Sequence, residues 1–276
     1  MIRKIHQVWV QGEEHFKKTQ PIFYSYSTLW KELFSNYEYK LWVEEDYLPL
    51  IQQYSYKLLD VYNTPQLPYA GKSDIARYVI LYYIGGLYID ADVEPYKCFD
   101  FLIEGDNIDL VLVGMALCRS KYYLSSYRYG NTIIYSKEGC IYIKAMIDRI
   151  IENPYNKQKY GISKYIWSYS GPGGLTHIVD ELQLYNKPNV RIIPHNMVEV
   201  CDFSNLGILL LSKEEVIRRY PFACSSHKLA GSWIFAINFW KKIGLIYSLY
   251  NEWNDFFILL ALFIIFIQSY IIYQHC

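Results

Sequence analysis

The chain has 276 residues, of which 52% are hydrophobic, and its 27 basic and 27 acidic residues give a formal net charge of zero. This apolar content is sufficient for one core, and a single α/β enzyme domain commonly has about 250 residues. A neutral chain without a basic run is not expected to bind nucleic acid. We therefore predict a catalytic domain over residues 1–250.

The first 62 residues alternate between strand and helix patterns. The apolar periodicity predicts a strand over 2–10, a helix over 21–36, a strand over 37–43 and a helix over 45–62. This βαβα order is typical of an α/β fold with a mainly parallel sheet and flanking helices. In such sheets, ligands bind in the crevice at the carboxyl ends of the strands.

The next segment joins a helix, a glycine turn and a short strand. We predict a helix with Ser73 as its N-cap and Asp74 in its first turn. Arg77 lies three residues after Asp74, so the two side chains share a face opposite the apolar one. The pair Gly85-Gly86 ends the helix, because glycine adopts left-handed dihedral angles without penalty. Residues 87–89 then form a short buried strand.

Two carboxylates follow this strand. Asp90 and Asp92 are two apart, so in an extended chain both point to one face. Carboxylate oxygens are the ligands that Mg²⁺ and Mn²⁺ prefer, and such an ion would bridge phosphate oxygens of a ligand. It would then stabilise the charge that forms on a departing diphosphate. A pair of solvated loop acids is the alternative, and the preceding helix, glycine turn and strand favour the metal site.

The middle of the chain continues the α/β pattern. We predict strands over 109–114, 131–135, 190–193 and 207–211, and a helix over 139–151. Residues 171–174, Gly-Pro-Gly-Gly, open another helix; their backbone N–H groups either approach a ligand or only form a tight turn. Residues 122–129 are either an acceptor-facing loop or an exposed hairpin.

The last residues predict a membrane anchor. Residues 256–273 are uncharged and almost all apolar, and as a helix they would span roughly 27 Å. Lys241 and Lys242 precede this segment and no Lys or Arg follows it, which predicts a single-pass tail anchor over 255–274 with a cytoplasmic catalytic domain. A helix buried in the domain or lying in the membrane interface is the alternative. The cysteines form no C-x-x-C pair, so we expect no structural zinc site.

Several motifs, in chain order, resemble one enzyme family. Residues 70–92 follow the pattern A-x-K-S-D-hydrophobic-x-R-Y-x-hydrophobic-L-Y-x-x-G-G-hydrophobic-Y-x-D-x-D almost throughout. Further matches are the segments 4–9 and 39–42, the S-G-P turn within 170–176, and His227 followed by Ser232-Trp233. This set resembles the DXD-containing retaining glycosyltransferases, which include initiating mannosyltransferases, α-1,4-glycosyltransferases and capsular polysaccharide enzymes. The resemblance implies a GT-A-type, Rossmann-like fold.

The resemblance also implies roles for individual residues. Asp92 would bind the metal directly, Asp90 would contact it through water or contact the donor ribose, and His227 would approach the same metal or the diphosphate. Asp90, Asp92 and Arg77 would be the catalytic group. The donor would be bound by a wider set: Val8 and Trp9 at the base, Asp74 and Arg77 at the sugar hydroxyls, Tyr88 at the nucleotide, Asn131 at the sugar or a phosphate, and Ser232 and Trp233 over the diphosphate.

These residues together predict a function. We expect a Mn²⁺- or Mg²⁺-dependent retaining glycosyltransferase that moves a sugar from a UDP- or GDP-sugar to a glycan or glycolipid. The alternative is a catalytically silent, membrane-tethered, nucleotide-sugar-binding subunit of a glycan assembly complex, although such a relative is expected to have lost part of the motif set. A glycoside hydrolase fits less well, because its two carboxylates flank a bond from two sides.

Overall fold

The computed structural model describes residues 3–65, 67–105, 107–115, 128–156, 165–200 and 211–228. Its described strands are β1 (Lys4–Val8), β2 (Glu38–Trp42), β3 (Gly86–Ile89), β4 (Val93–Pro95), β5 (Leu110–Met115), β6 (Arg128–Ser136), β7 (Val190–Ile193), β8 (Glu199–Val200) and β9 (Ser225–His227). Its described α-helices are α1 (Glu13–Thr19), α2 (Pro21–Leu33), α3 (Glu44–Tyr54), α4 (Tyr56–Tyr62), α5 (Tyr69–Ile84), α6 (Asp100–Ile103), α7 (Ile141–Glu152), α8 (Pro172–Glu181), α9 (His195–Val198) and α10 (Lys213–Arg219). A π-helix at Ile166–Ser170 and a 3₁₀ turn at Leu184–Asn186 complete the described elements.

Six of these strands form the central sheet, in the order β2-β1-β3-β6-β5-β7. The pairs β1–β2, β1–β3 and β5–β7 are parallel, whereas β6 is antiparallel to both β3 and β5. The prediction of a mixed α/β fold with a mainly parallel sheet is therefore confirmed. The reversed strand β6 was not predicted, because its sequence pattern carries no information on direction.

The sheet is covered on both faces, and alternate residues of each strand pack into different cores. On β5, Leu110 and Leu112 pack into a core with α3, α4, α5, α7 and α8, whereas Val111 and Val113 pack into a core with α2 and Phe99. This alternation follows from the period of two in a strand. The burial of both faces also explains why β5 reads as a continuous apolar run.

Helix α5 begins earlier than predicted. Its first residue is Tyr69, and the carbonyl of Pro68 accepts the Lys72 amide at 3.0 Å, so Ser73 is not the N-cap and Asp74 is not in the first turn. Residues 74–81 are all buried, so the polar face predicted from Asp74 and Arg77 lies in the interior. The sequence pattern failed here because charged side chains are rarely buried unless they are paired.

Two other elements differ from the predictions. The helix predicted over 45–62 is two helices, because Ser55 interrupts it and caps α4 by accepting the Leu58 amide at 3.1 Å. Helix α1 was not predicted, since only Phe16 is buried in it and its pattern is too short to be periodic. The strand predicted over 207–211 and most of the loop at 122–129 lie outside the described residues.

Two glycines in the first turn of α8 allow this helix to pack directly against the π-helix. A Cβ on Gly173 would lie 2.5 Å from the Trp167 carbonyl oxygen, and one on Gly174 would lie 2.3 Å from the Tyr169 carbonyl oxygen. Such distances are shorter than van der Waals contact allows, so these positions require glycine. A close-packed turn therefore explains these glycines, and the approach of their backbone N–H groups to a ligand stays a prediction.

A second sheet of three strands, in the order β4-β9-β8, was not predicted. It pairs β4, just after the two aspartates of the motif, with β9 in an antiparallel register that sets Val93 opposite His227. Strand β8 pairs with β9 in parallel. These strands have two or three residues each, which is too short for a periodic signal to appear in the sequence.

The predicted tail anchor over 255–274 lies outside the described residues. Among the residues that are described, no helix is both long enough and apolar enough to cross a membrane.

His6 on β1 has a structural role. It is 2% exposed, its Nδ1 accepts a hydrogen bond from Trp42 Nε1 at 3.0 Å, and its Nε2 donates to the Gly85 carbonyl at 2.8 Å. This arrangement requires the neutral ring. Burial lowers the pKa of His6 to about 4, with only partial opposition from the bond to Gly85.

We predict that His6 makes the protein acid-sensitive. Between pH 6.5 and about 4 the unfolded chain protonates this side chain and the folded chain does not, so stability falls as the pH falls through this range. The expected contribution is about 3 kcal/mol. Urea unfolding of the wild type and of His6→Gln at several pH values tests this prediction. As the pH falls through this range, the free energy of unfolding should decrease by that amount more in the wild type than in the variant. Parallel pH profiles would contradict the prediction.

Candidate functional site

A buried arginine lies at the carboxyl edge of the central sheet, between two aspartates. Arg77 Nη2 from α5 lies 3.1 Å from Asp74 Oδ1 and 2.9 Å from Asp90 Oδ1, and Arg77 Nη1 donates to the Asn131 carbonyl. The guanidinium also stacks on the Tyr88 ring, 4.6 Å from its centroid, and Tyr88 donates its hydroxyl to Asp90 Oδ1 at 2.7 Å. One cation thus connects α5, β3 and β6.

Asp74 takes part in this network rather than facing an open cleft. Asn131 Nδ2 donates to Asp74 Oδ1 at 2.9 Å, and Ser170 Oγ donates to Asp74 Oδ2 at 2.7 Å. With Arg77 as a third partner, both oxygens of this buried carboxylate are satisfied. In this structure Asp74 therefore orients Arg77 and Asn131, and the predicted contacts to sugar hydroxyls stay a prediction.

The pKa values of both aspartates in the network are raised above the usual value. Burial raises the pKa of Asp74 to about 7, against the opposing effects of Arg77 and Ser170. Burial also raises the pKa of Asp90; Arg77 opposes this change and Asp92 adds to it. A cation bound beside Asp90 would lower its pKa, because an opposite charge stabilises the ionised form.

The two aspartates of the D-x-D motif lie on a turn. Strand β3 ends at Ile89, and the Val93 amide donates to the Asp90 carbonyl at 3.2 Å, so the chain reverses between the carboxylates. The expectation of an extended strand was therefore wrong. The turn nevertheless keeps the two side chains together. Gln7 on β1 fixes it further, since its Nε2 donates to the Asp90 carbonyl at 3.2 Å.

The small sheet brings His227 to this turn. His227 Nε2 lies 3.2 Å from Asp92 Oδ2, and the Lys228 amide donates to the Asp92 carbonyl at 3.0 Å. One ligand atom from each of Asp90, Asp92 and His227 lies within 4.8 Å of the others, and all three side chains are partly buried. These are the three residues that the family resemblance implied as a metal group.

The chemistry of this donor set fits a divalent cation. It offers two carboxylates and one imidazole, and carboxylates are the usual protein ligands of Mg²⁺ and Mn²⁺. An imidazole nitrogen suits Mn²⁺ better than Mg²⁺, which binds mostly oxygen. Asp90, Asp92 and His227 are therefore the residues that would hold such an ion.

The other residues predicted to bind the donor occupy different environments. Val8 is 4% exposed and packs in the core, whereas Trp9 is partly buried, stacks on Phe16 at 4.2 Å and donates its Nε1 to His15 Nδ1 at 3.2 Å. Tyr88 is only 1% exposed, and it contacts Arg77 and Asp90 of the arginine network. Ser232 and Trp233 lie outside the described residues.

Sequence reasoning missed two polar residues at the site. Ser170 holds Asp74, and its position in the S-G-P turn was a signal that could have identified it. Glu199 on β8 lies behind His227, with its Oε1 3.0 Å from His227 Nδ1, and it is 5% exposed. No sequence pattern marks Glu199, because its position depends on the pairing of very short strands.

Part of the sequence matches the model of a known protein family. Residues 17–109, about a third of the sequence, match the family model of the glycosyltransferase sugar-binding region containing a DXD motif. This region holds Asp74, Arg77, Asp90 and Asp92. Residues 17–109 therefore form a glycosyltransferase sugar-binding region with a DXD motif, and the match supports a glycosyltransferase that depends on a nucleotide sugar.

Several solved structures are similar at low identity. PaToxG glycosyltransferase is 18% identical with a TM-score of 0.38, over 66% of this chain and 70% of that one. The galactosyltransferase LgtC in complex with donor and acceptor sugar analogs is 11% identical with a TM-score of 0.44, over 83% and 88%. Mouse xyloside xylosyltransferase 1 is 8% identical with a TM-score of 0.41, over 82% and 97%. Such TM-scores are too low to assign a substrate. Among curated protein sequences there is no significant match.

We predict that Arg77→Leu destabilises the protein by about 3–5 kcal/mol, because removing one partner of a buried ion pair leaves an uncompensated charge. Asp74 and Asp90 would lose their shared cation, and Asp74 is buried while Asp90 is partly buried. The free energy of unfolding from urea titrations measures the effect. Adding Asp74→Asn should restore part of the loss, because one of the two uncompensated charges is then removed.

Arg149→Leu is the matched control. Arg149 on α7 is partly buried, but its hydrogen bond to the Ser168 carbonyl is long, at 3.3 Å, and it has no carboxylate partner among the described residues. We expect it to cost less than about half as much as Arg77→Leu. Equal losses in the two variants would show that packing of the arginine, rather than its charge, stabilises the fold.

Proposed function

We propose that this chain is a Mn²⁺-dependent, GT-A-type retaining hexosyltransferase that moves a sugar from a UDP- or GDP-sugar to a glycan or glycolipid acceptor. The observation that carries the proposal is the convergence of Asp90, Asp92 and His227, from two distant parts of the chain, on one point at the carboxyl edge of the sheet. The mixed donor set supports Mn²⁺ rather than Mg²⁺.

The residues of the site have distinct parts in this proposal. Asp92 and His227 hold the ion, and Asp90 holds it directly or through water while Arg77 fixes the carboxylate. The bound ion supplies electrostatic stabilisation of the charge that develops on the leaving diphosphate. Retention of configuration rests on the family resemblance. It is compatible with an acceptor hydroxyl that gives its proton to the departing phosphate, so the site needs no separate protein base.

The acceptor is the part of the proposed function that the fewest observations constrain. The uncharged apolar segment 256–273 supports an acceptor at a membrane face, with the catalytic domain on the cytoplasmic side, and this part rests on the sequence alone. A glycolipid fits such a placement better than a soluble glycan.

The first experiment measures release of UDP or GDP from a panel of nucleotide sugars by the full chain, with Mn²⁺, with Mg²⁺ and with a chelator. We expect one donor to be cleaved, faster with Mn²⁺ than with Mg²⁺, and not in the chelator. Release that is indifferent to the chelator would refute the role of the metal. Donor binding without release, even with glycolipid acceptors present, would instead favour a silent nucleotide-sugar-binding subunit.

We predict that Asp92→Asn lowers the release rate by about 100-fold or more with little change in melting temperature. A ligand of the ion loses its charge, and the metal contributes several kcal/mol to stabilisation of the transition state. Asp180→Asn is the matched control, because Asp180 is exposed near the end of α8 and outside the site. The proposal fails if the two variants release nucleotide at similar rates.

A further inference from the structure

A buried carboxylate lies on the far side of the histidine from the metal group. Glu199 Oε1 is 3.0 Å from His227 Nδ1, and His227 Nε2 is 3.2 Å from Asp92 Oδ2. The two ring nitrogens of an imidazole point away from each other. Glu199 and Asp92 therefore contact opposite sides of the same ring, and the three side chains form a row that leads from the protein interior to the D-x-D turn.

The backbone holds this row in place. Glu199 pairs with Ser225 across the parallel β8–β9 ladder, and His227 pairs with Val93 across the antiparallel β4–β9 ladder. Ser225 Oγ also donates to the Val198 carbonyl at 2.7 Å, which fixes the start of β8. Glu199 and His227 are thus both attached to one small sheet, so the orientation of the ring is determined by the fold.

The low exposure of Glu199 and His227 argues against a chance contact between their side chains. The Glu199 side chain is 6% exposed and that of His227 is 15% exposed. An ionised carboxylate is rarely buried to this extent without a partner, because desolvation is unfavourable. The His227 ring N–H supplies such a partner, and the hydrogen bond it makes decides which ring nitrogen carries the proton.

We infer that Glu199 is a positioning residue that orients His227 as a ligand of the divalent cation. The carboxylate of Glu199 accepts a hydrogen bond from the Nδ1–H group of His227. The lone pair of His227 Nε2 then faces Asp90 and Asp92. A carboxylate in this position also makes the imidazole a stronger ligand, and loss of such a partner commonly weakens metal binding 10–100-fold. Glu199 itself is not a ligand of the group, since its carboxylate contacts the opposite nitrogen.

This inference rests on the proposed metal-dependent function, and the test therefore measures metal binding rather than turnover. The concentration of free Mn²⁺ is followed by electron paramagnetic resonance during titration of the full chain and of Glu199→Gln. We expect the variant to bind Mn²⁺ at least tenfold more weakly while its melting temperature stays close to that of the wild type.

Glu94→Gln is the matched control. Glu94 lies in the same small sheet and loses the same charge, but its partner is Lys228 Nζ at 2.8 Å rather than His227. It should weaken Mn²⁺ binding by less than about threefold, because the pair is compensated locally. Equal effects of Glu94→Gln and Glu199→Gln would mean that only the general loss of negative charge matters, and would overturn the inference.

A double-mutant cycle with His227→Ala separates a positioning role from a structural one. If Glu199 acts through His227, the substitution Glu199→Gln should have almost no further effect on Mn²⁺ affinity once the ring is removed. Additive effects would overturn the inference.

The outcomes also separate this inference from the proposed function. Tight Mn²⁺ binding that is abolished by Asp92→Asn but unchanged by Glu199→Gln would overturn the role of Glu199 and leave the metal site standing. A wild-type chain that binds no Mn²⁺ would overturn both.

Discussion

The arginine between Asp74 and Asp90 is the interaction on which the rest of the site depends. Arg77 lies in the part of α5, residues 74–81, in which every residue is buried, and its partners come from α5 itself, from the end of β3 and from β6. An unpaired charge at this depth would be strongly unfavourable. The network therefore fixes the helix relative to the sheet, and it also fixes the first carboxylate of the D-x-D turn.

A second constraint joins parts of the chain that are far apart in sequence. Asp92 and His227 are 135 residues apart, and the antiparallel pairing of β4 with β9 brings them together. The contact is reinforced by the Lys228 amide, which donates to the Asp92 carbonyl. Because these strands are very short, they depend on the core beneath them, where Val93 and Cys224 pack beside α2. The metal group is thus assembled by long-range pairing, whereas the two ion pairs of Arg77 join residues of one short segment, 74–90.

This difference explains what could be predicted from the sequence. The segment 70–92 contains its own helix, turn and strand, so the order of these elements and the place of Asp90 after the strand followed from periodicity and motif spacing. The burial of Asp74 did not follow, because the pattern assigns a charged residue to a solvated face until its partners are known. Glu199 carried no local signal at all. Its role depends on a two-residue strand that only the folded chain defines.

The two constraints also separate stability from function within one motif. Asp90 accepts hydrogen bonds from Arg77 and Tyr88, so a change at Asp90 disturbs the buried network together with the metal group. Asp92 lies two residues further on in the same turn. Its side chain contacts His227 on the small sheet. The first aspartate of the D-x-D motif therefore couples the metal group to the core. The second contacts His227 on the small sheet, so we expect that its charge can be removed with little effect on the buried arginine network.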